Sequence, residues 1–339
     1  MARIPDPAII KATLQKPFKM TATVHTPPSL LSRCVNGILA IKPIASFAKH
    51  RARTMMIQRA EAMGVSWTKE VASLKSRDWS SYLAQVRNPN LQYPDYYVTS
   101  FHAYEEGNLG WEPALEVEVA AHAVHAKIWE EAGAYGDAKL RQSYNQALQA
   151  NLPTAPTAIV DLGCSVGMST FALQSLYPEA QIIGVDLSPY FLAVAQYRTD
   201  QRAKGETSYL PTSFPATANA PTWVHAAAEA TGLPSGSCDL VSACLMFHEL
   251  PRDPAISIFH EARRLLRPGG HFSIMDMNPR SETFVKMPPF VLTLLKSTEP
   301  YLDQYFAIDF EQELMAAGFA RPTITFNSPR HRTIVAEAV

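Results

Sequence analysis

Two aspartates and two histidines stand where this chain could do chemistry. Asp161 lies near the carboxyl end of a short apolar run, 159–162, and is followed by the turn Gly163, Cys164, Ser165, Val166, Gly167. Glycines bracketing that turn let the backbone approach a ligand closely, and an acid inside a buried run requires a partner. Asp186 ends a second run, 181–185, where a carboxylate can accept from both hydroxyls of a ribose. Charge-assisted bonds of that kind contribute about 1.5–3 kcal/mol each. His102 sits in a stretch crowded with aromatic residues, and His248 just beyond a fourth apolar run. A neutral imidazole in either place can take a proton from a phenol, an alcohol or an activated carbon. The combination points to a nucleotide-like ligand with a general base near it.

The elements that must position these residues alternate. Strands are expected at 159–162, 181–186, 239–245 and 271–277, with helices after Gly167, from Ser188 and Pro189, and over 254–266 up to a Pro-Gly-Gly stop. Ser169 or Thr170 is expected to cap the first of these helices. Alternating strands and helices build a parallel sheet covered on both faces, which binds ligands at the carboxyl edge of its strands. The tail adds an amphipathic helix, 309–319, and two strands meeting near Ser328 and Pro329. Upstream, 28–150 reads as largely helical, broken at Pro43 and Gly64, with a further helix over 116–134 and an irregular insert at 93–116. A dinucleotide fingerprint is not met: counting from Gly163, its second and third glycine positions hold Ser165 and Met168.

The segments IVDLGCSVGMSTFAL, QIIGVDLSPYFLAVAQYR, CDLVSACLMFHEL and LLRPGG, in that order, resemble the class I (Rossmann-like) S-adenosylmethionine-dependent methyltransferases of the small-molecule kind, type 11 or UbiE-like. The resemblance covers about 150 to 339. It implies an α/β fold, a seven-stranded mostly parallel sheet with helices on both faces, preceded by a mainly helical extension. The division expected is 1–120 for the extension with an aromatic lid and 121–339 for the cofactor domain. S-adenosylmethionine, leaving as S-adenosylhomocysteine, would be held by Asp161, Gly163, Cys164, Ser165 and Gly167, by Asp186 and Leu187 at the ribose, and by Ala228, Glu229 and Cys244. Two positions depart from the family pattern. Glycine is common where Ser165 stands, and an acid for the adenine amino group where Ala227 stands, leaving that contact to backbone near Ala228 or to Glu229.

The insert carries Tyr93, Tyr96, Tyr97, Phe101, Tyr104 and Trp111 around His102, Glu105 and Glu106. Such a segment either glues the helical unit to the sheet domain or, as in related small-molecule methyltransferases, closes over the sulfonium. A second apolar insert, 284–306, follows the fifth strand. Tyr97, Phe101, Tyr104, Phe290 and Tyr305 are therefore expected to line a mostly apolar acceptor pocket, with His102 and His248 as catalytic candidates and no metal. The implied activity is O- or C-methylation of a small hydrophobic or aromatic molecule.

Composition fits a globular enzyme: 339 residues, 47% hydrophobic, formal net charge −1. The charge is uneven, because the first sixty residues hold ten Lys or Arg against Asp6 alone. That basic segment could pack on the acidic remainder, touch an anionic membrane peripherally, or dock nucleic acid, the last being the minority reading. An RNA or protein methyltransferase would use it for docking; a non-catalytic cofactor-binding member would explain Ser165 and Ala227 instead. Four cysteines without paired metal spacing suggest a reducing, cytoplasmic setting, though the acid-poor start also suits organelle targeting.

Overall fold

The computed structural model describes residues 42–102, 104, 106–206, 210 and 219–339. The helix expected between 28 and 41, Cys34, Glu105 and most of the basic leading segment lie outside the described residues.

Seven strands form one sheet in the order β3-β2-β1-β4-β5-β7-β6. They are β1 (Ala158–Leu162), β2 (Gln181–Asp186), β3 (Thr222–His225), β4 (Cys238–Cys244), β5 (Leu266–Met277), β6 (Thr323–Thr325) and β7 (His331–Glu337). The first five pair in parallel, while β7 runs antiparallel to both β5 and β6. The chain therefore leaves β1 toward β2 on one side and returns to β4 on the other. A crevice opens at that reversal, at the carboxyl ends of β1 and β4.

Strands buried on both faces demand continuous apolar runs, and β1 and β4 supply them. One core lies under β4, β5 and α8 (Arg252–Leu265), built around Phe247, Phe259, Phe272 and Leu265. A second lies under α5 (Gly136–Asn151), around Leu140, Tyr144, Leu148 and Ile159. β5 starts earlier than the sequence suggests. Leu266 already pairs with Cys238, and a register shift before the Leu240–His271 pair absorbs the Pro-Gly-Gly stretch inside the strand. Gly269, at φ +76°, takes the left-handed turn that the shift needs.

Among the described residues four helices come before α5 and the sheet: α1 (Lys42–Ala62), α2 (Trp67–Lys75), α3 (Ser80–Val86) and α4 (Trp111–His125). α3 and α4 pack on α7 (Pro189–Ala203), which follows β2, through Tyr82, Trp111 and Tyr197 with Trp79 beside them, while α1 packs on α2 and α4. Arg198 of α7 ties them down, reaching Glu70 of α2 and Glu118 of α4. The boundary expected at 120 falls inside α4. That helix carries both Glu116, which receives Arg53 of α1, and Glu118, so it belongs to the junction and not to either side of it. Arg53 thereby spends its charge within the chain, bonding Glu116 and lying 3.2 Å from Glu112. Among the described residues no helix is long and apolar enough to cross a membrane.

Candidate active site

Asp161 is fully buried at the end of β1. Its Oδ2 accepts from Ser169 Oγ (2.8 Å) and Thr170 Oγ1 (2.7 Å). Those hydroxyls were expected to cap α6 (Met168–Leu176), but that helix starts from Gly167, at φ +87°, without a side-chain cap. Both residues lie inside the helix, past its N-cap, and their hydroxyls donate to the buried carboxylate. Oδ1 of Asp161 has no partner, and burial raises the carboxyl above its ordinary range. Arg141 of α5 enters the same region. It forks onto Asp137 (2.8 and 3.2 Å) and turns its remaining edge toward Cys244 Sγ and Met168 Sδ, close enough to interact with the charge of Asp161.

Asp186 ends β2 with each oxygen on a backbone N–H, Ser165 and Ser188, both at 2.8 Å. Burial pushes its carboxyl up to about 6, against those two bonds. Ser165 sits at φ +51°, which explains why glycine suits that position, and its buried Oγ has no partner. Gly163, at φ +65°, would bring a Cβ to 2.4 Å from Met246 Sδ. The thiols of Cys164 and Cys244 are held neutral, the latter pushed up to about 12 by burial.

The aromatic insert is latched onto this edge at three points. Asn88 N–H donates to His225 Nδ1 (2.9 Å), so Nε2 carries the ring proton and faces the Leu187 carbonyl (2.9 Å) and Tyr93 Oη (3.3 Å). Tyr96 donates to Glu229 Oε1 (2.7 Å), leaving Glu229 Oε2 buried and unpartnered. Ser188 Oγ donates to the Asn108 carbonyl (2.7 Å), and the Asn108 amide donates to Glu249 (3.2 Å). Tyr97 lies where Asp186 and Glu249 both act on its hydroxyl.

His102 and His248, 146 residues apart in the chain, meet beyond that edge with Glu299. His102 turns a corner at φ +47°, its Nε2 2.8 Å from Glu299 and 3.6 Å from Glu249. Phe101 packs edge-on against its ring at 4.4 Å. His248 lies in a short 3₁₀ turn, Phe247–Glu249, launched by Leu245 at φ +58°. Its Nδ1–H donates to Asp276 Oδ1 (2.8 Å), and its backbone N–H to Oδ2 of the same carboxylate (3.2 Å). Among the described residues the three non-glycine left-handed positions, His102, Ser165 and Leu245, all border this crevice. Strain of about 1–3 kcal/mol each persists only where the surroundings enforce it.

Both histidines hold a proton more tightly than an ordinary imidazole. Burial alone would lower His248, yet Asp276, Glu299 and Glu249 together push it up to about 10, and Glu249 and Glu299 likewise raise His102 against its burial. The carboxylates favour the protonated ring in each, and His248, at about 10, is a donor before it is a base.

The residues anticipated for the cofactor, Asp161, Gly163, Cys164, Ser165, Gly167, Asp186, Leu187, Ala228, Glu229 and Cys244, gather along one sheet edge on β1, β2, β4 and the loops after them. The acceptor residues divide. Tyr97 and Phe101 reach the crevice. Tyr104 does not: its hydroxyl donates to Glu116 of α4 (3.0 Å), pointing into the helical extension. Phe290, on α10 (Pro289–Thr298), is 47% exposed on a solvent face shared with Val291 and Leu294. Tyr305 is buried core, its hydroxyl donating to the Met277 carbonyl at 2.5 Å, and it backs the His248 ring. Sequence reasoning missed Arg141, Glu249, Asp276 and Glu299. Only Arg141 had a local signal, an Asp137 one helical turn before it.

Gly107, at φ +56°, closes the insert: a Cβ there would stand 2.2 Å from the Thr99 carbonyl oxygen. Gly107→Ala is expected to spring the segment carrying Tyr96 and Tyr97 and to weaken ligand binding at the crevice about tenfold, a strain of about 1–3 kcal/mol. Calorimetry with the ligand proposed below would read it, and less than a twofold change would count against latching.

Residues 160–274 match a family model described as a methyltransferase domain. A malonyl-[acyl-carrier protein] O-methyltransferase of Laribacter hongkongensis is 29% identical over 172 residues, 50% of this chain and 53% of that protein. A trans-aconitate 2-methyltransferase of Methylobacterium nodulans is 52% identical over 52 residues, 15% of this chain and 20% of that protein. The chain thus spans about half or less of the length of these relatives. A solved structure of an O-methyltransferase from Nostoc punctiforme, named as putative, aligns over 83% of this chain and 72% of its own at 15% identity, with a TM-score of 0.49. The strand acids Asp161 and Asp186 both fall inside the matched stretch, so residues 160–274 are similar to a methyltransferase domain of the class I (Rossmann-like) S-adenosylmethionine-dependent kind.

Proposed function

We propose that this chain transfers the methyl group of S-adenosylmethionine to an acidic oxygen of a small, partly apolar acceptor bound between the aromatic insert and the His102–His248 cluster. The observation that carries the reading is that cluster: two histidines converge beyond the cofactor edge, beside Glu249, which Asn108 links to Ser188. The residues present fit the cofactor. Asp161 Oδ1, Ser165 Oγ and Glu229 Oε2 are buried polar atoms without partners, matching an ammonium, a polar backbone and an amino donor. Asp161 would hold the ammonium and Arg141 the carboxylate of the amino-acid end, Asp186 the ribose, and Glu229 the adenine amine.

When bound, S-adenosylmethionine supplies a methyl group already electrophilic on its sulfonium. What is left to the chain is positioning, which can contribute about 7–11 kcal/mol. His248 holds a proton at Nε2 under the control of Asp276, and Glu299 and Glu249 favour one on His102. Each can donate to an acceptor oxygen that arrives as an anion, orienting it without a base. Tyr97 and Phe101 give that space apolar walls and exclude water from it. The names of the relatives, acting on malonyl-[acyl-carrier protein] and trans-aconitate, support an acidic acceptor.

Transfer of labelled methyl to a panel of small carboxylic acids and phenols tests the proposal. His248→Gln is expected to lower turnover about a hundredfold with cofactor affinity unchanged, within the usual range for a positioned proton donor. Wild-type turnover with an unaltered pH profile in that variant would sink the assigned role.

A further inference from the structure

We propose that His102, His248 and Glu299 form a binding site for a divalent transition-metal ion. Each offers one ligand atom, and the three atoms lie within 4.8 Å of one another. His248 is prepared as metal-binding imidazoles are. A carboxylate, Asp276, accepts from its Nδ1–H at 2.8 Å and fixes the ring, so that Nε2 is the nitrogen that would bind the ion on losing its own proton. His102 is pinned beside Glu299 by its own backbone, whose N–H donates to the Thr298 carbonyl (3.2 Å), and its Nε2 already lies 2.8 Å from Glu299 Oε1. Glu299 has a side chain only 6% exposed, and its Oε2 finds no partner. A buried carboxylate oxygen left unpaired among two imidazoles and two further carboxylates, Glu249 and Asp276, is a place where positive charge is missing.

Two imidazole nitrogens and one carboxylate oxygen suit zinc, cobalt or ferrous ions and are poor ligands for magnesium or calcium. Ligand bonds of about 2.0–2.2 Å require the three atoms to draw together by about 1 Å, a side-chain adjustment within reach of His102, which is 36% exposed. Three protein ligands leave open positions facing the crevice. Metal uptake is independent of the methyl-transfer reading. Its use rests on that reading: an ion there would replace the imidazole protons, bind the acceptor oxygen directly and hold it in line with the methyl group.

The test uses the full chain, stripped with chelator and titrated with Co²⁺, whose visible bands report imidazole ligation, and with Zn²⁺ by calorimetry. One ion per chain is expected, with His102→Ala, His248→Ala and Glu299→Gln each weakening it at least tenfold, and Asp276→Asn about tenfold through the freed His248 ring. Affinity for S-adenosylhomocysteine, measured on the same variants, should stay within twofold of wild type and shows that they are folded. No stoichiometric uptake by the wild type, or uptake indifferent to these substitutions, would overturn the site. Ion binding without S-adenosylhomocysteine binding would leave the metal site standing and remove the proposed function instead.

Discussion

Asp186→Ala should weaken S-adenosylmethionine and S-adenosylhomocysteine at least a hundredfold, the largest effect on binding expected of any single substitution here. The carboxylate is buried, spends one lone pair of each oxygen on a backbone N–H, and has the others left for two ribose hydroxyls. Two charge-assisted bonds are together about 3 kcal/mol or more. The substitution also releases Ser165 N–H and Ser188 N–H, loosening the turns that shape the amino-acid end. A pH dependence accompanies it. Burial holds the empty protein's Asp186 at about 6. Only the ionised form accepts from both hydroxyls, so affinity should fall as pH drops below about 6, and Asp186→Asn should flatten that fall. Stability runs the other way. A carboxyl whose folded value lies above the ordinary 3.8 favours folding more as pH falls from about 6 toward 4. Relative to Asp186→Asn, the ligand-free wild type should therefore gain stability over that window while losing affinity. Calorimetry and urea melts across pH 4.5–8 measure both, and a pH-independent affinity in the wild type would remove Asp186 from the ribose.

Arg198→Ala should cost about 3–5 kcal/mol of stability, the range for breaking a buried ion pair from one side. The guanidinium is buried, reaches Glu70 and Glu118 with the same Nη2, and adds Gln201 at 2.7 Å. Without it two carboxylates remain desolvated where α2, α4 and α7 meet. Replacing the whole set, Arg198→Met with Glu70→Gln and Glu118→Gln, should recover much of the loss, since the penalty lies in desolvating the carboxylates more than in losing the pair. A single-variant cost under 1 kcal/mol by urea unfolding would mean that the aromatic contacts of Trp79, Tyr82 and Tyr197 hold the extension without the clasp.

Phe290 and Tyr305 show how far an apolar insert can be read. Both are aromatic residues in one stretch of chain, yet one faces solvent and the other backs a histidine. Their direction depends on where α10 and α11 (Leu302–Ala307) dock, which no local pattern encodes. Tyr104 is similar: its neighbour Phe101 turns to His102, while Tyr104 turns to Glu116, because a tight corner at His102 sends them to opposite sides.

By itself the sequence determined the succession of strands and helices, the two strand-end acids, the glycines of the first turn and the cofactor they would take. These are local properties: apolar period, a carboxylate one residue from a turn, and backbone freedom at positive φ act between residues close in the chain. Tertiary structure alone decided that His102, His248, Glu299 and Asp276 share one place, that Arg141 reaches Asp161, and that Ser169 and Thr170 serve an aspartate instead of a helix end. It also decided that both histidines hold a proton more tightly than an ordinary imidazole. Imidazole ionisation is set by which carboxylates stand within a few ångströms and how little water lies between them, and both follow from packing segments nearly two hundred residues apart.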